Sequence, residues 1–110
     1  MPMDERRAVE AARRFISELE KRGFKVTEAY LFGSWARGDW LVDSDVDVVI
    51  VSPEFRDMPW LKRLELLAKV EASLDLPLSI DALPYTPEEV EASPSAVLRD
   101  AKRYWKKIWP

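Results

Sequence analysis

The 110-residue sequence contains no cysteine and no histidine. Because cysteine is absent, disulfides and thiolate metal sites are excluded. Because histidine is absent, Ser-His-Asp catalysis, a histidine general base and an imidazole zinc site are excluded as well. A metal ion in this protein would therefore be held by oxygen ligands, which favours Mg²⁺ or Mn²⁺.

Asparagine and glutamine are also absent, whereas eight residues are proline and 34% are charged. This composition is typical of proteins from thermophiles, and we expect such a source. No apolar run approaches the roughly 20 residues of a membrane span. The N-terminal sequence lacks the apolar segment of a signal peptide. We therefore expect a cytoplasmic protein without membrane association.

The size and charge of the chain limit the class of protein to which it can belong. A length of 110 residues predicts one domain, residues 1–110. The proportion of hydrophobic residues, 47%, is that of a globular protein and not of a disordered one. The net charge of −3 provides no overall basic field, so nonspecific binding to nucleic acid is not expected.

Apolar periodicity and turn residues predict an alternation of helices and strands. The predicted helices cover 4–22, 34–38, a segment that Asp57 caps and Pro77 ends, a short helix with the capping-box sequence Thr86-Pro87-Glu88-Glu89, and 95–108. The predicted strands cover 25–32, 45–51 and 78–83. This order predicts an α/β (α+β) fold in which helices pack on a short mixed sheet.

Two acidic residues lie in the second predicted strand. Asp45 and Asp47 are two residues apart, so their side chains leave the same face of the strand. Their α-carbons should be roughly 6.5 Å apart, which lets both carboxylates reach one or two Mg²⁺ ions. The alternative is that both acids lie at a solvated end of the strand, as carboxylates often do.

A glycine-serine pair follows the first predicted strand. Gly33 allows the backbone to approach a ligand closely. The helix that begins there presents free N–H groups to phosphate, and Ser34 adds a hydroxyl group. Arg37, one turn later, can direct its guanidinium group at the same phosphates. Alone, the pair is weak evidence for a phosphate site and is better explained by a turn with a helix cap.

Together the two motifs are more specific. Ten residues, 35–44, separate Gly33-Ser34 from Asp45-Val46-Asp47. They begin with Trp35-Ala36-Arg37-Gly38 and end with Ser44. This pattern resembles the signature of the polymerase-β-type nucleotidyltransferase superfamily, and in particular its stand-alone minimal nucleotidyltransferases. The resemblance implies a polymerase-beta-like nucleotidyltransferase fold over the whole chain.

The resemblance also implies the chemistry of the site. An acceptor hydroxyl attacks the α-phosphorus of ATP or another nucleoside triphosphate, and pyrophosphate leaves. Asp45, Asp47 and a third carboxylate bind the metal ion, and the third one also deprotonates the acceptor. Asp81 lies in the third predicted strand and is the best candidate, ahead of Asp75 in a turn and Asp43 in a loop. Ser34, Arg37 and Ser44 would hold the phosphates beside Gly33.

The relatives that this chain resembles are commonly antitoxins encoded beside a HEPN-family toxin. The resemblance therefore implies transfer of AMP to a hydroxyl group of such a partner, and a hetero-oligomer. A non-catalytic antitoxin that acts by complex formation, and transfer to a small molecule or RNA, remain alternatives.

The aromatic residues also allow more than one role. Trp35 or Trp40 can stack on a base or fill the core. The aromatic, basic segment 102–109 can bind a partner, pack on the body or contact RNA.

Overall fold

The computed structural model describes residues 3–38, 45–92 and 95–110, and within them it leaves out the side chains of residues 3, 4, 34 and 37. The helices are α1 (Met3–Lys21), α2 (Gly33–Arg37), α3 (Trp60–Ala72), α4 (Pro87–Ala92) and α5 (Ala96–Lys102). The strands are β1 (Glu28–Phe32), β2 (Val46–Val51), β3 (Ile80–Tyr85) and β4 (Lys106–Trp109). Of the helices in this part of the chain, none has the length and apolar character needed to cross a bilayer.

The four strands form one mixed sheet in the order β3-β2-β1-β4. β1 is antiparallel to both of its neighbours, whereas β2 and β3 are parallel. The parallel pair is connected through α3, as a crossover requires. The predicted short mixed sheet packed with helices is therefore confirmed.

The two faces of the sheet are covered unequally. Val46, Val48 and Ile50 of β2 join the larger hydrophobic core with α1 and α3. Val49 and Val51 point to the opposite face and pack in a smaller cluster with Leu98 and Ala101 of α5. Since side chains alternate along a strand, Asp47 shares the second face. We call the face that carries Tyr30, Phe32, Asp47 and Asp81 the site face.

The C-terminal segment differs from its prediction. A helix was expected over 95–108, but α5 ends at Lys102 and the chain then forms β4. Ile108 of β4 is buried in the main core, and the Trp109 indole donates a hydrogen bond to the Val26 carbonyl oxygen. β4 pairs with β1 because the edge of β1 would otherwise be left with unpaired backbone groups.

The helix that follows the second strand also differs from its prediction. Asp57 does not cap it: Asp57 has a left-handed backbone, with φ 67°, and Pro59 precedes the first helical residue. Leu61, an apolar residue of α3, is 64% exposed. Arg63 is buried instead and lies against the ring of Phe55, 5.8 Å from its centroid.

The Arg63 guanidinium group joins three parts of the fold. It donates hydrogen bonds to the carbonyl oxygens of Met58 and Pro84 at 2.9 and 3.2 Å. It also donates to both carboxylate oxygens of Glu89, at 2.7 and 3.3 Å. These acceptors satisfy a cation that would otherwise be costly to bury.

The capping box predicted at Thr86-Pro87-Glu88-Glu89 is confirmed. The Thr86 backbone N–H donates to Glu89, and the Glu89 backbone N–H donates to the Thr86 hydroxyl oxygen. Burial alone would raise the pKa of Glu89, but hydrogen bonds from Arg63 and the Thr86 backbone outweigh it and hold this pKa below its ordinary value of 4.5. The carboxylate is therefore stabilised in its charged form.

Candidate active site

Asp47 and Asp81 lie side by side on the sheet. They are direct partners in the parallel register of β2 and β3, so their α-carbons are about 4.8 Å apart. Both belong to the site face by the alternation of their strands. Asp47 is half-buried and Asp81 is exposed. The sheet thus presents one sheltered carboxylate and one accessible carboxylate at neighbouring positions.

Gly33 lies directly against Asp47. It has a left-handed backbone, with φ 71°, a conformation that favours glycine. A Cβ at position 33 would lie 3.0 Å from Cγ and 3.2 Å from Cβ of Asp47, and closer still to its Oδ2 oxygen. The absence of a side chain at position 33 therefore leaves the room in which the Asp47 carboxylate lies.

Asp45 lies just before β2 and is exposed. In the described ranges 3–38, 45–92 and 95–110, no three Asp, Glu, His or Cys side chains are arranged to hold one metal ion. The structure therefore pairs Asp47 with Asp81 but does not assemble Asp45 with them into a three-ligand centre. The metal-binding role of the three acids stays a prediction.

The remaining site residues are described in part. The backbones of Ser34 and Arg37 lie in α2, next to Gly33, and their side chains lie outside what the structure describes. Ser44 lies outside the described residues, as does the alternative acid Asp43. Asp75 is exposed in the segment between α3 and β3, outside the sheet.

Aromatic side chains lie next to the acidic pair. Phe32 is the register partner of Asp47 across β1 and β2. Tyr30, on the same face, stacks on Trp105, with ring centroids 3.8 Å apart and an angle of 11° between the rings. The sequence did not single out these residues for the site, because β4, which brings Trp105 to β1, was predicted as helix.

The two tryptophans considered for base stacking have different outcomes. Trp35 is 1% exposed and belongs to the main core, so packing explains it. Trp40 lies outside the described residues. Trp105 is half-buried beside the smaller cluster on the site face, and it is therefore the better placed of the described tryptophans to meet a ligand there.

The donor chemistry of the site suits a hard divalent cation. Carboxylate oxygens are the ligands that Mg²⁺ and Mn²⁺ prefer, and Asp47 and Asp81 offer such oxygens from paired positions. Two carboxylates at this separation repel each other unless a cation lies nearby. A metal ion together with phosphate oxygens therefore fits Asp47 and Asp81, while the exposed Asp45 is not gathered with them in the described part of the chain.

Comparison with known proteins identifies the matching family. The family model described as "Nucleotidyltransferase domain" matches residues 9–107. A relative from Methanocaldococcus jannaschii, named as a protein adenylyltransferase, is 39% identical over 56 residues. That alignment covers 51% of this chain and 54% of the relative, so the matched segment spans about half the length of the curated relative.

Solved structures share the fold at lower identity. A crystal structure described as a nucleotidyltransferase from Sulfolobus solfataricus has a TM-score of 0.65 and 24% identity, covering 81% of this chain and 76% of the other. A crystal structure of a toxin-antitoxin with AMP-PNP has a TM-score of 0.61 and 24% identity, covering 88% and 71%. A variant of the toxin-antitoxin MntA-HpeT has a TM-score of 0.59 and 22% identity, with the same coverage. The polymerase-beta-like nucleotidyltransferase fold is confirmed.

Proposed function

The chain belongs to the nucleotidyltransferase domain family, and we propose that it transfers AMP from ATP to a hydroxyl group of a partner protein. The observation that carries the proposal is the pairing of Asp47 with Asp81 next to Gly33. The name of the Methanocaldococcus relative and the toxin-antitoxin neighbours support a protein as the acceptor. The proposed partner is a HEPN-family toxin that the modification neutralises.

The two paired carboxylates have different proposed roles because their surroundings differ. Asp47 is sheltered between Gly33 and the sheet, so it is suited to a fixed position beside the nucleotide. Asp81 is exposed on an edge strand, where an incoming hydroxyl group can reach it. We assign to Asp81 the acceptance of the hydroxyl proton as the oxygen attacks the α-phosphorus and pyrophosphate leaves.

The phosphates would lie at the turn that Gly33 makes between β1 and α2. The left-handed turn at Gly33 leads into α2, whose first backbone N–H groups can meet the triphosphate. Ser34, Arg37 and Ser44 are proposed to hold the phosphate oxygens, by the match of their positions to the family pattern. The half-buried Asp47 would then lie near the α-phosphate, where it could hold the cation that offsets the repulsion between its carboxylate and the phosphate.

Asp45, Asp47 and Asp81 are the residues that would hold Mg²⁺ or Mn²⁺. A bound cation would neutralise charge on the phosphates and stabilise the transition state electrostatically. Phosphate oxygens of the nucleotide would supply further ligands.

The proposal is tested with α-labelled ATP, Mg²⁺ and the protein encoded by the neighbouring gene. We expect label in the partner protein, at a hydroxyl-bearing residue, and no label when Asp47→Asn replaces the wild type. A stable complex without label would show instead that the domain acts by binding alone. Label that appears in added RNA or a small acceptor, and not in the partner, would overturn the protein acceptor while retaining the transferase.

Gly33→Ala should reduce transfer at least a hundredfold, since the new methyl group displaces the Asp47 carboxylate. The left-handed backbone also costs an alanine about 1–2 kcal/mol, and we expect a matching loss in the free energy of unfolding. Gly23→Ala is the matched control: Gly23 has φ 93°, and nothing lies within 4 Å of its added Cβ. It should lose similar stability and keep its activity. Normal activity in Gly33→Ala would contradict the close fit of residue 33 to Asp47.

A further inference from the structure

We propose that Trp105, stacked on Tyr30, is the surface on which the base of the nucleoside triphosphate stacks, and that it selects purine over pyrimidine bases. The inference rests on the proposed function, because it assigns a subsite for the same nucleotide. It starts from the position of the stacked pair on the site face.

β4 brings Trp105 close to the acidic pair. Lys106 pairs with Leu31 in the antiparallel register of β4 and β1, so Trp105, one residue earlier, lies beside Phe32. Phe32 in turn is the partner of Asp47. Two strand spacings therefore separate Trp105 from Asp47, about 10 Å between α-carbons. The sugar and base of a nucleotide whose phosphates lie at Asp47 span that distance.

The roles of the two acids set the direction of the base. Asp81 lies on the β3 side of Asp47, and that side is needed for the incoming acceptor hydroxyl. The base is therefore directed to the other side, where β1 and β4 lie. On that side the site face carries aromatic rings, from Phe32, Tyr30 and Trp105.

The stacked pair is held in place before any ligand binds. The Tyr30 hydroxyl donates a hydrogen bond of 2.8 Å to Glu28, and Glu28 forms an ion pair of 3.3 Å with Lys107. Burial and the neighbouring Glu28 raise the pKa of Tyr30 to about 12, so the hydroxyl keeps its proton. An aromatic surface already ordered in this way loses little conformational entropy on binding a base.

An indole face recognises the area of a base and not its hydrogen-bonding edge. Purines offer a larger π-surface than pyrimidines, and stacking strength is the usual source of preference on such surfaces. We therefore expect ATP and GTP to bind with similar affinity and CTP to bind more weakly.

The test measures binding of the Mg²⁺ complexes of ATP, GTP, CTP and inorganic tripolyphosphate by titration calorimetry. Trp105→Ala should weaken ATP binding about tenfold to a hundredfold, remove the purine preference and leave tripolyphosphate binding unchanged. Trp105→Phe keeps an aromatic face and should retain most of the affinity. Trp60→Ala is the matched control, because Trp60 is 41% exposed, stacks at an angle on Tyr85 and begins α3. It should bind all four ligands as the wild type does.

Equal losses of affinity for ATP and tripolyphosphate in Trp105→Ala, or no loss for either, would overturn the proposed base stacking on Trp105, since Trp105 would then serve packing only. A wild type that binds ATP through Trp105 but labels no acceptor would refute the proposed function and leave the base stacking on Trp105 supported. If Trp105→Ala does not fold, the indole N–H resonance of Trp105 in the wild type is followed by NMR. It should shift with ATP and not with tripolyphosphate, and a shift with neither or with both equally would overturn the proposal.

Discussion

Asp47→Asn should lower the rate of nucleotidyl transfer at least a thousandfold, which corresponds to about 4 kcal/mol of transition-state stabilisation. The amide keeps the shape of the side chain but removes the negative charge that, in the proposed function, would hold a phosphate-bound cation. Asp47 is the sheltered member of the pair, held between Gly33 and its register partner Asp81.

The same substitution should leave the free energy of unfolding nearly unchanged without metal. Removing one of two directly opposed like charges relieves roughly 0.2–1 kcal/mol of repulsion. Stability is measured by urea denaturation and activity by transfer of labelled AMP. Asp75→Asn removes an exposed carboxylate outside the sheet and should be fully active. We expect Asp45→Asn to be inactive as well. Full activity in Asp47→Asn would refute its role.

The candidate site was largely predictable because its information is local. Gly33 and Asp47 belong to a short motif, and alternation along a strand fixes which face Asp47 shares. Asp81 was expected in the third strand, and the register of β2 and β3 places it beside Asp47, while its metal-binding role stays a prediction. The hydrogen bond between Glu89 and the Thr86 backbone was predictable for the same reason, since a capping box needs two residues three positions apart.

β4 was not predictable by local reasoning. Leu98, Ala101, Trp105 and Ile108 recur at three- and four-residue spacing, so the segment satisfies a helical pattern. Its second half forms a strand because β1, more than 70 residues earlier in the sequence, offers an edge with unpaired backbone groups. The position of Trp105 on the site face depends on that nonlocal pairing.

Arg63 was not predictable for a different reason. Arginine is rarely buried unless its charge is paired, and its partner, Glu89, is 26 residues away on another helix. The sequence gives the pattern of apolar residues in α3 but not the carbonyl oxygens of Met58 and Pro84 that meet the guanidinium group. Burial of Arg63 follows from the packing of α3 against β3 and α4.

Arg63→Ala should reduce the free energy of unfolding by about 3 kcal/mol. The change removes four hydrogen bonds, leaves the Met58 and Pro84 carbonyl oxygens without this donor, and opens a space beside Phe55. Glu89 keeps part of its surface in solvent, which lets water replace some of the lost contacts and limits the cost. For a domain of this size the loss is a large share of total stability.

Urea denaturation measures this loss, and the neighbouring pair of Arg56 and Glu88 provides the control. Both of those side chains are largely exposed, and Arg56→Ala should have no measurable effect on the free energy of unfolding.

The pH dependence of the free energy of unfolding gives a second check. Because the pKa of Glu89 lies below 4.5 in the folded state, its ionised form contributes stability above that pH, and this is lost as pH falls through the lower, folded-state value. The difference between wild type and Glu89→Gln should therefore shrink on acidification. Equal stability of Arg63→Ala and wild type at neutral pH would refute the view that Arg63 joins α3, β3 and α4.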